Sequence, residues 1–127
     1  MMIIAKKGME AFAITRVYAD ENGDSRFEDI SRPLNPEGEI GFLSEAEKAE
    51  SIIFRKVVPT YDYDFHTAPA RQYIVVLDVG IEIETSLGEK RTFRQGEVLL
   101  LEDTTGKGHK TRNLEQAVRS SIFITLA

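Results

Sequence analysis

The sequence predicts an all-β single domain, and three observations carry that reading. Runs rich in β-branched and aromatic residues recur through the second half, each closed by a glycine-containing or polar turn. Several of these runs alternate apolar and polar residues with a period of two, as half-buried strands do. The helix–strand alternation that builds parallel sheets is missing. Short strands separated by turns in this way are the pattern of an antiparallel sandwich or barrel.

In chain order, "AFAITRVYA" (residues 11–19) reads as a strand. The compositions of "DENGDS" and "SRPLNPEGE" are those of loops. "SEAEKAE" predicts a short helix, because Ser44 and Glu47 have capping-box spacing. "SIIFRKVV" (residues 51–58) and "QYIVVL" (72–77) read as strands, and "IEIET" (81–85) alternates strictly. "SLGEK" (86–90) is a hairpin loop carrying Gly88, and "RTF" then leads to a "RQG" turn that ends in Gly96. "EVLLLE" (97–102) is apolar on both faces, which predicts a strand lying between two packed layers. In "AVRSSIFITL" (117–126) the residues Val118, Ser120, Ile122, Ile124 and Leu126 share one face.

Composition narrows the function classes. The length of 127 residues suits one domain, and 42% hydrophobic residues is too apolar for a disordered chain. A net charge of -5 and a pI near 5.1 argue against nucleic acid or an anionic membrane as partner, since both reward a basic face. The chain has no cysteine, which excludes disulfides, thiolate catalysis and Cys-ligated metal. At the start, "MMIIAKKGMEAF" places its lysines after a short apolar run, not the order of a secretory leader, and no run is long enough to span a membrane. A cytoplasmic location is the expectation.

Two motif-like stretches dissolve on inspection. "DENGDS" offers Asp20, Asn22 and Asp24 at the first ligand positions of a calcium loop, but Ser25 and Ser31 stand where glycine and a bidentate glutamate are needed. "TTGKGHKT" lacks the earlier glycine of a phosphate loop and the hydroxyl residue directly after Lys107. The chain's two histidines, His66 and His109, are more informative. Each stands at the edge of an extended segment, and His109 follows the "GKG" loop.

On these residues the second half resembles the cupin superfamily, specifically its small single-domain barrels of unassigned function. The family's second motif begins with a glycine and five residues and ends on a histidine followed, three residues later, by asparagine. Here Gly96 and "EVLLL" open the stretch, and His109 and Asn113 close it. Glu102 and Thr104 occupy the places of the intervening proline and glycine, and the loop is two residues longer. In the first motif His66 takes the leading histidine, Ala68 replaces the second, Gln72 replaces the glutamate, Val79 stands at the closing glycine and Thr60 at the opening one.

The resemblance implies a double-stranded β-helix, or jelly-roll, barrel in which residues 1–59 supply N-terminal strands and loops. Residues 60–113 then form the motif-bearing core and 114–127 a closing strand. It also implies that the Gln72, Ile74 and Val76 face of one strand looks into the barrel, with His66 and His109 facing each other across its mouth. A divalent transition metal (Fe, Mn, Ni or Zn) would be held by His66, Gln72 and His109, or with Asp64 as the alternative third ligand; the other possibility is no metal at all.

Without metal, His66 or His109 is the candidate proton relay. Arg71, Lys107 and Arg112 are candidates to attract an acidic ligand, and Tyr63, with Tyr61, is a candidate wall of the entrance. The leading expectation is a small-molecule site for an acidic ligand, in a homodimer formed through an edge strand or the N-terminal arm. The alternatives are a metal-dependent oxygenase or isomerase of a small carbonyl compound or acid, and a non-catalytic sensor or accessory domain.

Overall fold

A computed structural model describes residues 9–127. The reading of the first residues as something other than a secretory leader falls largely on residues 1–8, outside that range. In chain order the strands are β1 (Ala11–Ala19), β2 (Ser25–Pro33), β3 (Asn35–Pro36), β4 (Phe42–Leu43), β5 (Ser51–Val57) and β6 (Asp62–His66). They continue with β7 (Gln72–Val76), β8 (Ile81–Thr85), β9 (Lys90–Phe93), β10 (Val98–Leu101), β11 (His109–Asn113) and β12 (Arg119–Thr125). The described residues are thus all-β, apart from one 3-10 turn at Gly38–Ile40. No helix among them is long and apolar enough to cross a membrane.

Two sheets make up the body. The larger has the order β2-β1-β10-β7-β12-β5 and the smaller β6-β11-β8-β9, with β3 and β4 paired separately. The arrangement is that of a sandwich. Among the described residues no closed barrel forms, because β2 and β5 end one sheet, and β6 and β9 the other, without a further strand to pair with.

The two faces of β10 show why "EVLLLE" is apolar throughout. Leu99 and Leu101 enter the core between the sheets with Val17, Val76, Ile83 and Phe93, while Leu100 joins Ile14, Tyr73 and Leu126 on the opposite face of the larger sheet. Strict alternation on β8 likewise sends Ile81, Ile83 and Thr85 inward, leaving Glu82 and Glu84 only partly covered.

Some expectations need correction. Residues 44–50 form no helix: Ser44 Oγ donates to the neighbouring Glu45 carbonyl, and Glu47 accepts from Arg32 at 2.8 Å and from the Tyr73 hydroxyl. Seven residues make a marginal helix in any case, and these tertiary bonds outweigh a capping box. "SRPLNPEGE" is only partly loop, since β2 runs through Pro33 and β3 takes Asn35–Pro36. "DENGDS" is a tight turn in which Asp20 Oδ1 accepts from the backbone of Asn22 and Asp24. The "GKG" loop docks onto that turn, with Lys107 N donating to the Gly23 carbonyl and Lys107 Nζ 2.9 Å from Asp24.

Val79, the residue at the closing glycine of the resembling motif, has φ 54. A β-branched residue in the left-handed region carries strain of about 1–2 kcal/mol, which the surrounding turn must offset.

Candidate functional site

The site is built where β6 meets β11. Their antiparallel register pairs His109 directly with His66, and a bulge follows before Thr111 pairs Tyr63. The approach depends on Gly108, where a Cβ would lie 2.1 Å from the His66 carbonyl oxygen. The imidazole centroids are 4.7 Å apart with planes tilted by 55°, and the other face of His66 stacks on Tyr63 at 4.1 Å.

Each ring has its Nδ1 occupied on the protein side. His109, 1% exposed, donates Nδ1–H to Asp103 Oδ2 at 2.5 Å, and Asp103 is itself fully buried. His66 donates Nδ1–H to the Asp64 backbone carbonyl at 2.8 Å. These bonds leave both Nε2 atoms without a protein partner among the described residues, and both rings line one cavity. Burial lowers the His66 pKa below its ordinary value, partly opposed by the bond to Asp64, so its ring is neutral at pH 7.

The cavity has a volume of about 190 Å³. Ile74, Ile81 and Leu101 form an apolar floor, Tyr61, Tyr63 and Phe123 form aromatic walls, and Gln72, 3% exposed, adds its amide. Arg55 and Arg119 complete the lining. Arg119 is 2% exposed, donates Nε–H to Asn113 Oδ1 at 2.7 Å and forms no ion pair with any carboxylate among the described residues. Its guanidinium lies 5.4 Å from the Tyr61 ring centroid, and that of Arg55 lies 4.9 Å from the same centroid. Burial, reinforced by the like charge of Arg55, pushes the Arg119 pKa down to about 10, which leaves it charged at neutral pH.

Of the residues singled out from sequence, the fold gathers His66, His109, Gln72, Tyr63 and Ile74 around the cavity. It turns the others away. Asp64 Oδ1 accepts from the Phe65 backbone on the exposed side of β6, because the extended segment points its carboxylate outward. Arg71 is drawn to Glu102 at 2.6 Å and to the Ala127 carbonyl, Lys107 to Asp24, and Arg112 to Glu82 at 2.8 Å. Val76 is fully buried in the core between the sheets rather than on the cavity surface.

Among the charged residues of the site, Asp103, Arg55 and Arg119 escaped the sequence reading. Only Arg119 carried a signal. It shares a strand face with Ser121 and Phe123, opposite the apolar face that the alternation of residues 117–126 makes conspicuous.

The donors that could meet a metal are the two Nε2 atoms and the Gln72 amide, with no carboxylate among them. No group of three or more His, Cys, Asp or Glu among the described residues could hold an ion. Asp103 lies behind His109, and two guanidinium groups share the cavity. A divalent cation would add charge to an already positive, partly desolvated site, so these residues do not fit a resident metal.

No family model and no curated protein matches this chain. Among solved structures, the crystal structure of protein NMB1881 from Neisseria meningitidis is similar over 60% of this chain and 72% of that chain, with 18% identity and a TM-score of 0.48. That degree of likeness carries no functional argument.

Proposed function

We propose that this protein binds a small acidic molecule in the cavity bounded by the histidine pair and Arg119, within a cupin-like jelly roll. Support for the jelly roll comes from the way successive strands alternate between sheets. From β5 to β8, and again from β10 to β12, each strand lies in the sheet opposite its predecessor. The observation that carries the ligand reading is Arg119: a guanidinium this deeply buried and without a carboxylate partner is costly, and an anion in the cavity would relieve that cost.

Benzoate is a suitable probe. It is expected to raise the melting temperature in proportion to its occupancy. Arg119→Met should weaken its binding roughly 10- to 100-fold, the loss of one charge-assisted contact, as read by titration calorimetry. Equal binding of the uncharged isostere benzamide, or undiminished benzoate affinity in Arg119→Met, would sink the reading. A metal-dependent oxygenase or isomerase is the weaker alternative, because the donor set has no carboxylate and two arginines line the cavity. A sensor or accessory domain would use the same binding chemistry without turnover.

We infer in addition that two copies associate through β5. This edge strand leaves Ile52, Ile53 and Phe54 exposed, Phe54 at 78%, and its outer backbone groups have no strand partner among the described residues. Sedimentation velocity is expected to show a dimer, and Phe54→Glu a monomer; a wild-type monomer at tens of micromolar refutes the inference.

A further inference from the structure

The cavity is chemically two-ended, and the second end narrows the class of acid it can take. At the level of Asn113, Arg119, with Arg55 near the same Tyr61 ring, presents only donors. At the other end, both imidazoles have given Nδ1–H to the protein, His109 to Asp103 and His66 to the Asp64 carbonyl, and the neutral His66 ring presents a lone pair at Nε2. Neither Nε2 has a hydrogen-bond partner among the described residues, and both rings line the cavity. A simple carboxylate satisfies the arginines but leaves the His66 acceptor facing its apolar tail. Buried acceptors left unpaired disfavour such a ligand, whereas a hydrogen-bond donor placed there would be favoured.

The backbone sets the spacing between the ends. His109, Thr111 and Asn113 share one buried face of β11, and Asn113 is the residue that holds Arg119. Four residues of strand separate the two levels by roughly 13 Å at ~3.3 Å per residue. Allowing roughly 3 Å for a hydrogen bond at each end leaves roughly 7 Å between the two polar groups of the ligand. The walls between are the rings of Tyr61, Tyr63 and Phe123, and the volume of about 190 Å³ admits only a compact molecule.

We propose that the cavity is a site for a small hydroxy-carboxylate, its carboxylate on Arg119 and Arg55 and a hydroxyl at the histidine pair donating to the His66 Nε2 atom. This rests on the acidic-ligand reading and goes beyond it by assigning a required donor. Phenolic acids and linear ω-hydroxy acids both have this chemistry, and the aromatic walls favour the flat one.

Titration calorimetry on the unaltered protein with three benzoates tests it. 4-Hydroxybenzoate is expected to bind roughly tenfold or more tighter than benzoate, and tighter by a similar factor than 4-fluorobenzoate, which matches it closely in size but has no proton to donate. The pair 5-hydroxyvalerate and valerate, run alongside, should show the same order, at lower affinity if the aromatic walls matter. If the three benzoates bind within about twofold of each other, the donor requirement is overturned while the acidic-ligand reading stands. If none binds, both fall together.

Discussion

Replacing His109 with alanine is expected to destabilise the protein by about 3–5 kcal/mol, seen as a lower denaturation midpoint in urea with an unchanged slope. The imidazole lies on the fully buried Asp103, whose Oδ1 has no hydrogen-bond partner, so His109 supplies the only bond that either carboxylate oxygen receives among the described residues. Removing it leaves a carboxylate in an apolar setting with nothing to offset its desolvation. The double variant His109→Leu with Asp103→Leu should recover most of the loss, because both members of the polar pair go together. A loss below about 1 kcal/mol in His109→Ala would show that Asp103 is neutral or solvated in the folded state. The consequence for function is direct: His109 is part of the framework as well as the cavity, so loss of ligand binding in its alanine variant cannot by itself identify a ligand contact.

Gly108→Ala is expected to cost more than about 3 kcal/mol and to abolish the cavity's ligand binding. Two penalties combine there. At φ +76 any Cβ meets the intrinsic left-handed strain of about 1–2 kcal/mol. The same Cβ would stand 2.1 Å from the His66 carbonyl oxygen and 2.3 Å from its carbon, both backbone atoms of the paired strand, so β6 and β11 would have to separate. Gly88→Ala isolates the first penalty. Its φ is +89 but nothing lies within 4 Å of the added carbon, so it should show only the conformational cost. Matching midpoints for the two variants in chemical denaturation would mean that the strand approach at His66 is loose, and the fixed geometry of the histidine pair would lose its main support.

Much of the architecture was legible in the residues. The alternation of β8 and the two-sided apolar run of β10 follow directly from strand periodicity and burial, and the turn glycines mark where strands end. The meeting of His66 with His109 came from the resemblance to a family motif, and the register of β6 against β11 agrees with it. Elements whose conformation depends on distant partners were less readable. The helix expected at residues 44–50 was displaced by bonds from Glu47 to Arg32 and Tyr73. Likewise β2, from the polar "SRFEDISRP", forms because β1 offers it a complete antiparallel edge rather than through strong strand propensity.

The charges divide in the same way. Arg71, Lys107 and Arg112 looked as suited to an acidic ligand as any arginine or lysine, yet each found a carboxylate of its own. Arg119 found none and lines the cavity instead. By itself, the sequence determined the all-β class, most of the strands and the apolar inner faces, because these follow from local periodicity and turn chemistry. Only the tertiary structure decided which cations are left without a carboxylate and that a buried Asp103 stands behind His109, because pairing of charges depends on residues brought together by strand register rather than on their order in the chain.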